Sequence, residues 1–204
     1  LQGYIMANNT PLKIMSALSL LTISATAWAF PAGFTETKLF SDVNEPTSFK
    51  FAPGGQVFLS EKSGVIKVYD DIHDRSGQII YDIRGQVYTK YDNGLSSLAV
   101  HPDFESNRFI YAVYSKAPQG SEFPGENGAQ LIRLKLNDSL TAVVEETVML
   151  QNWCVASANH ATGDLQFGPE GALYISAGTF ASSGTFNSDC GEPFEQGGSL
   201  KAQD

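Results

Sequence analysis

Apolar and polar residues alternate in short runs along much of the chain, and turns that contain proline or glycine separate these runs. The pattern occurs three times: in TSFKFAPGGQVFLS (residues 47–60), in LSSLAVHPDF leading to FIYAVY (residues 95–114), and in DLQFGPEGALYIS (residues 164–176). Alternation with a period of two, bounded by turn residues, predicts a half-buried β-hairpin in each copy. The chain is therefore expected to be an all-β protein.

The spacing of the three hairpins indicates a repeated architecture. Phe51, Val100 and Phe167 hold equivalent positions, with separations of 49 and 67 residues. Repeats near this period, each supplying a small antiparallel sheet, are typical of a β-propeller. Two further alternating runs, residues 64–69 and 130–136, are predicted to be the strands that follow the first and second hairpins.

Four stretches between these runs are predicted to be loops. They comprise residues 70–77, 88–93, 117–128 and 181–198, and the last two are long for plain connections. No convincing amphipathic helix follows residue 29.

The number of repeats is too small for a closed propeller, which typically needs at least four blades. The residues after the leader supply about three blades, and the last of these is expected to be incomplete. We therefore predict an N-terminal fragment of a longer propeller.

Residues 1–29 have the pattern of a leader and secretory signal peptide. Met6 and Lys13 precede the apolar residues 14–26, and Ala-Trp-Ala at residues 27–29 supplies a cleavage site. The apolar run is too short to span a bilayer comfortably. We expect residues 30–204 to form the mature partial propeller, without a membrane span, in the periplasm or outside the cell.

The net charge of −9 and the absence of a Lys/Arg run exclude nucleic acid as an expected partner. An acidic surface by itself indicates solubility rather than a ligand. The 19 glycines, 9 prolines, 13 phenylalanines and 8 tyrosines are the profile of a turn-rich, aromatic-rich β protein.

Secretion sets the redox context of the only two cysteines, Cys154 and Cys190. In an oxidising compartment an isolated pair more often forms a disulfide than a metal site, so we predict that these two residues are bonded. Asn137-Asp138-Ser139 is a glycosylation sequon, and Asn137 is a candidate acceptor if the host modifies asparagine.

The candidate chemistry lies at the entrance to the third hairpin, where residues 159–163 read NHATG. Loops at strand ends are where side chains act on ligands, so His160 is the leading functional candidate, the alternative being a role in capping the turn. Asp92, in the turn YDNG, is either a sugar-contacting carboxylate or a turn residue. His101 is interpreted as structural and His73 as solvated, and no two histidines have the spacing of metal ligands.

Three motifs resemble the glucose/sorbosone dehydrogenase family. They are YDNGLSSLAVHPDF (residues 91–104), FIYAVYS (residues 109–115) and NHATGDLQFGPEGALYIS (residues 159–176), and the resemblance runs from about residue 34 to the end. It implies a six-bladed propeller with pyrroloquinoline quinone near the central axis and calcium beside it. The implied function is a secreted quinoprotein oxidoreductase that oxidises an aldose or a related sugar hydroxyl and passes electrons to an external acceptor.

The resemblance also implies residue roles. His160 matches the histidine that takes the proton of the sugar's anomeric hydroxyl, and an imidazole can accept and return a proton near neutral pH. Asp92 and Asn159 match positions that contact the sugar, although the family has a glutamine or glutamate at the first and an acidic residue at the second. A further departure is Gly178-Thr179 in place of Gly-Asp. Most cofactor ligands are implied to lie outside this chain.

Two other functions stay open at this point. A secreted propeller of this kind can bind a carbohydrate or protein partner without turnover, and it can be a structural module of a larger extracellular protein. Reduction of the quinone by a sugar distinguishes an enzyme from both.

Overall fold

The computed structural model describes residues 34–120, 124–155, 159–178 and 200–202, and only the backbone of residues 125–127, 152–154 and 200–202. The chain divides into residues 1–37 and residues 38–204. The described part of the first unit, residues 34–37, contains no regular element. The predicted leader and signal peptide lie outside the described residues.

The first predicted hairpin belongs to a four-stranded antiparallel sheet whose strands pair in chain order. They are β1 (Pro46–Phe51), β2 (Val57–Glu61), β3 (Val65–Tyr69) and β4 (Gln78–Asp82). The β1–β2 turn is closed by a hydrogen bond of 3.0 Å from Gly55 N–H to Ala52 O. Gly55 has a φ of 92°, a left-handed conformation that glycine adopts without steric cost.

The second hairpin begins another four-stranded antiparallel sheet with the same strand order. Its strands are β5 (Leu95–Val100), β6 (Phe109–Ser115), β7 (Gly125–Leu136) and β8 (Val143–Val155). A one-turn helix, α1 (Phe104–Asn107), lies between β5 and β6 and ends at Arg108, whose φ is 60°. No helix among the residues that the structure describes has the length and apolarity needed to span a membrane.

The third hairpin forms a sheet with three described strands, β9 (Thr162–Phe167), β10 (Leu173–Ala177) and β11 (Leu200–Ala202), in the order β11-β10-β9. The β9–β10 turn is closed by Gly171 N–H, which donates to Gly168 O at 3.0 Å. The three sheets confirm the three predicted hairpins.

Apolar side chains fill the space between consecutive sheets. The face shared by the first and second sheets includes Phe58, Ile66, Leu98, Ile110 and Ile132, all fully buried. The face shared by the second and third sheets includes Ala99, Tyr111, Leu131, Leu165 and Ile175. Because each fully buried apolar side chain contributes about 1.5–3 kcal/mol, these two layers hold the sheets face to face, as consecutive blades of a propeller are held.

The first strand of each sheet, β1, β5 and β9, lies beside the first strand of the next sheet. We call these three the inner strands. Thr47 Oγ1 of β1 donates to Leu95 O of β5 at 2.6 Å, and Ser96 Oγ of β5 lies 2.5 Å from Thr162 Oγ1 of β9. The inner strands therefore follow one another around a common axis, which is the blade arrangement that the repeats predict.

The sequence did not predict the outermost strands β4 and β8, because both run along the edge of a sheet and alternate weakly. The sequence predicts a loop over residues 117–128, but residues 125–128 are the start of β7, where the strand is irregular and shifts register against β8. The helix α1 was also missed, since four residues are too few to show a helical period.

Candidate functional site

His160 is exposed and lies two residues before the start of β9. Its backbone φ of 58° is in the left-handed region, which costs a residue other than glycine about 1–2 kcal/mol. Its backbone N–H donates to Asp92 Oδ2 at 2.8 Å, which joins residues 68 positions apart. The Asp92 carboxylate therefore holds the His160 backbone in a conformation that the local sequence does not favour.

Gly178, at the end of β10, makes a second contact with the same loop. Its N–H donates to Ala161 O at 2.8 Å. A Cβ atom at position 178 would lie 2.4 Å from His160 O and 2.6 Å from the His160 carbonyl carbon, which is closer than real side chains approach. Only glycine lets the two backbones meet in this way. Thr179, the departure that follows it, lies outside the described residues.

Asp92 is presented by a turn that buried contacts hold in place. Asn93 is fully buried, its N–H donates to Lys90 O at 3.0 Å, and its Oδ1 accepts from Ser115 Oγ at 2.7 Å. A Cβ atom at Gly94 would lie 2.9 Å from Lys62 O. Asp92 lies in this turn, as the sequence predicts, and its hydrogen bond to His160 is a role that the sequence did not predict.

The structure brings the three residues predicted for the sugar site together. Asp92 and His160 are hydrogen-bonded and exposed, and Asn159 precedes His160 directly and is half-buried. Their arrangement places an imidazole and a carboxylate on one surface at the start of β9. The catalytic and sugar-contacting roles of these residues stay predictions.

Each inner strand carries one residue more than the strand beside it, near its own start. The additional residue is Thr47 in β1 and Ser96 in β5, and in β9 both Gly163 and Asp164 lie opposite Ser176. A β-bulge of this kind bends the strand and re-aims a side chain. In β1 and β5 the re-aimed hydroxyl reaches the next inner strand, and in β9 the Asp164 N–H donates to Ser176 Oγ at 2.8 Å.

Asp164 accepts hydrogen bonds from two other sheets. Its Oδ1 lies 2.6 Å from Ser97 Oγ of β5 and 3.2 Å from Lys50 Nζ of β1. Partial burial raises the pKa of the Asp164 carboxyl, but the Ser97 hydrogen bond and the Lys50 charge outweigh that effect and lower the pKa below its usual value. The carboxyl group is therefore ionised at neutral pH, beside a lysine from a sheet that is not its neighbour.

The other two histidines differ from His160 in their surroundings. His101 Nδ1 accepts from Asp103 N–H at 3.0 Å and lies 2.8 Å from Asn107 Nδ2, which agrees with the structural interpretation. His73 lies in the β3–β4 loop, where its backbone N–H donates to Asp71 Oδ1 at 2.6 Å.

Two predicted modifications stay predictions. Cys190 lies outside the described residues, and of Cys154, on β8, only the backbone is described. Asn137 lies in the β7–β8 turn, where its Oδ1 accepts from Thr141 N–H at 2.8 Å and its Nδ2 donates to Thr141 Oγ1 at 2.9 Å. The amide of Asn137 thus closes the turn.

Sequence reasoning missed Lys50, Ser97, Asp164 and the packing role of Gly178. Aligning the three hairpins by their turns would have shown a hydroxyl residue near the start of each inner strand, at Thr47, Ser96 and Thr162. That recurrence was the available signal for contacts between blades. Nothing in the sequence indicated the pairing of Lys50 with Asp164, which lie 114 positions apart.

Two curated sugar dehydrogenases are similar to this chain in sequence. Quinoprotein glucose dehydrogenase B of Acinetobacter calcoaceticus is 28% identical over 189 residues, which cover 82% of this chain and 37% of that protein. Aldose sugar dehydrogenase YliI of Escherichia coli strain K12 is 26% identical over 164 residues, covering 78% and 42%. The chain thus spans about two fifths of the length of these curated relatives.

Solved structures show the same fold. The PQQ-bound aldose sugar dehydrogenase of Streptomyces coelicolor matches with a TM-score of 0.61 at 19% identity, over 72% of this chain and 42% of that chain. The apo-form of the soluble aldose sugar dehydrogenase of Escherichia coli matches with a TM-score of 0.57 at 21% identity, over 70% and 40%. These matches and the three sheets confirm the prediction of a β-propeller of which about three blades are present.

The family assignment follows from a match that covers most of the described propeller. The family model for Glucose / Sorbosone dehydrogenase matches residues 43–197, from just before β1 to just before β11. This range includes all three hairpins, the Asp92 turn and the His160 loop. The chain therefore belongs to the glucose/sorbosone dehydrogenase family.

Proposed function

We propose that the protein containing this chain is a secreted quinoprotein that oxidises an aldose or a related sugar hydroxyl. The observation that carries the proposal is the His160 loop: an exposed histidine whose strained backbone is held by Asp92 and packed against Gly178. Backbone strain maintained by the surrounding structure is concentrated at functional sites. The sugar dehydrogenases among the relatives support the same reaction class.

The described residues fit one part of a quinone-dependent site. His160 and Asp92 supply a proton acceptor and a hydrogen-bond acceptor, which suit the hydroxyl of a sugar. Within the described part of the chain, no three His, Cys, Asp or Glu side chains are grouped to hold a metal ion. The calcium ligands and the cations that would pair with the carboxylates of pyrroloquinoline quinone are proposed to come mostly from the other blades of a six-bladed propeller, as the family resemblance implies.

In the proposed mechanism His160 accepts the proton of the sugar's anomeric hydroxyl as the carbonyl of the product forms. When bound, pyrroloquinoline quinone would accept the hydride from the same carbon, so that the sugar loses two electrons and two protons in total, one proton to His160 and the other within the hydride. Asp92 keeps the His160 backbone fixed through Oδ2, and its Oδ1 accepts from a sugar hydroxyl. Asn159 donates from its amide to a neighbouring hydroxyl.

The proposed secretion rests on the leader and signal peptide that the sequence predicts for residues 1–29. An external electron acceptor would take up the two electrons that each oxidised sugar releases. The disulfide between Cys154 and Cys190 and the glycan on Asn137 belong to the same proposed extracellular setting.

The test uses the full-length protein loaded with pyrroloquinoline quinone and calcium and mixed rapidly with a series of aldoses. We expect the absorbance of the bound quinone to change on reduction by at least one aldose, with reduction of an added dye in turnover. His160→Gln should slow quinone reduction by about 10³-fold, the usual contribution of a general base. Quinone binding should be unchanged.

His73→Gln is the matched control, because His73 lies in the β3–β4 loop of the first sheet, whereas His160 precedes the third sheet. It should leave the rate within twofold. Sugar-driven reduction that is as fast in His160→Gln as in the wild type would refute the catalytic role. Binding of a glycan without any quinone or dye reduction would support the non-catalytic propeller instead.

A further inference from the structure

The free edge of β9 is held by side chains from two other sheets. An inner strand has one edge that is not hydrogen-bonded to another strand. The N–H and C=O groups on that edge therefore need other partners. At Leu165 the N–H donates to Ser97 Oγ at 3.2 Å, and the carbonyl oxygen accepts from Lys50 Nζ at 3.2 Å. Both edge groups of one β9 residue are therefore bound from β5 and β1.

The same two side chains meet at the neighbouring residue. Ser97 Oγ and Lys50 Nζ both lie within hydrogen-bond distance of Asp164 Oδ1, at 2.6 Å and 3.2 Å. Asp164 reaches them because the bulge in β9 re-aims it, with Ser176 Oγ accepting the Asp164 N–H on β10. One lysine of the first sheet thus binds the third sheet through a carboxylate and a backbone carbonyl.

We propose that Lys50, Ser97 and Asp164 are positioning residues that set the location of the His160 loop. We call them the axial tie. The proposal rests on the proposed function, in which His160 acts on the sugar. Asp164 follows His160 by only four positions, and β9 begins at Thr162 between them, so a shift of β9 along β5 would move the histidine as well.

Apolar packing alone does not fix that position. Leu165 and Ile175 bind the third sheet to the second, but contacts between apolar side chains have no directional preference and tolerate sliding. The axial tie adds directional hydrogen bonds at a defined register. Two further hydrogen-bond contacts, Ser96–Thr162 and Asp92–His160, lie nearer the start of β9.

The Lys50–Asp164 ion pair is expected to affect the position of the His160 loop more than the stability of the fold. The side chains of Lys50 and Asp164 retain 22% and 65% of their exposure, and a partly exposed ion pair contributes little net stability. Misplacement of a reacting group by about 1 Å, however, can lower a rate by about 10²-fold. The expected signature is therefore a loss of kcat in a protein that is still folded.

The test compares Lys50→Met, Asp164→Asn and Lys50→Arg in the full-length, quinone-loaded protein. Lys50→Met should lower kcat by about 30-fold and Asp164→Asn by about tenfold, with KM within threefold of wild type in both. Lys50→Arg keeps the charge and should retain at least about a third of kcat. Deuterium exchange of the peptide containing the His160 amide should be about tenfold faster in Lys50→Met.

Arg84→Met is the matched control, because it removes the cation of the exposed Arg84–Asp82 pair of the first sheet. It should change neither kcat nor exchange at His160. The axial tie is overturned if exchange at His160 in Lys50→Met is as slow as in Arg84→Met, or if kcat falls only in proportion to the folded fraction.

The exchange measurement separates this proposal from the proposed function. If the wild type oxidises no sugar, faster exchange at His160 in Lys50→Met still supports the axial tie, and unchanged exchange still overturns it. Loss of sugar oxidation in His160→Gln together with unchanged exchange in Lys50→Met would retain the function and reject the tie.

Discussion

His101 and His160 lie at opposite ends of inner strands, and the fold uses them in different ways. The His101 ring is tied into the β5–β6 turn through Nδ1, and it packs against Phe167 with the ring centroids 5.3 Å apart. At His160 the backbone N–H donates to Asp92 Oδ2, and the backbone carbonyl packs against Gly178. The His101 ring thus closes a turn, whereas for His160 we propose that the held backbone sets the position of a side chain that acts on the sugar.

The largest expected effect comes from removing each histidine in turn. His160→Ala should lower the rate of sugar-driven quinone reduction by about 10³-fold with little change in the free energy of unfolding. His101→Ala should lower that free energy by about 1–2 kcal/mol, because it removes the acceptor of the Asp103 N–H, with kcat within threefold. Denaturant unfolding and rapid-mixing kinetics on both variants make the comparison. Equal effects of His160→Ala and His101→Ala on kcat would contradict the proposed difference between the two histidines.

Substitution of Gly178 and of Gly171 tests how much the His160 loop depends on close backbone packing. Gly178→Ala forces a Cβ against the His160 carbonyl, so we expect a loss of about 10²-fold in kcat from displacement of the loop. Gly171→Ala has open space around it but a φ of 81°, so it should cost only about 1 kcal/mol of stability. An unchanged kcat in Gly178→Ala would show that the loop tolerates the shift.

Two substitutions of Asp92 test whether its hydrogen bond or its charge holds the His160 backbone. Asp92→Asn keeps a side-chain oxygen as acceptor and should retain kcat within about fivefold, whereas Asp92→Ala loses it and should lose about 20-fold. Deuterium exchange at the His160 amide should increase only in Asp92→Ala. Equal exchange in the two variants would mean that Asp92 does not fix the loop.

The smallest expected effect is a pH dependence of stability. The pKa of Asp164 is lower in the folded protein than its usual value, so the folded state binds the proton less well than the unfolded state. The stability from its contacts is therefore fully present above about pH 3.9, the unfolded pKa, and is lost as the pH falls through the lower folded pKa.

Asp164→Asn removes this contribution, so the difference in unfolding free energy between wild type and variant should shrink below about pH 4. Chemical denaturation at several pH values measures it. Asp82→Asn provides a comparison, since Arg84 lowers the pKa of Asp82 within one sheet. A pH-independent difference for Asp164→Asn would contradict the assignment.

Much of the fold was predictable because its signals are local. Alternation and the turns at Gly55 and Gly171 define the first and third hairpins within about fifteen residues, and the second hairpin, residues 95–114, recurs between them. The edge strands β4 and β8 were not predictable, because their burial depends on neighbours that are placed only when the sheet forms. The family resemblance pointed to His160 and Asp92 but not to the bond between them.

The sequence by itself determined the repeated hairpins and the position of His160 in a short loop before the third, since both depend on neighbouring residues. Only the tertiary structure decided that Asp92 holds the His160 backbone and that Lys50 reaches Asp164, across 68 and 114 positions. Those contacts depend on the packing of apolar faces between sheets and on single-residue bulges that re-aim side chains, and neither is encoded in the residues next to them.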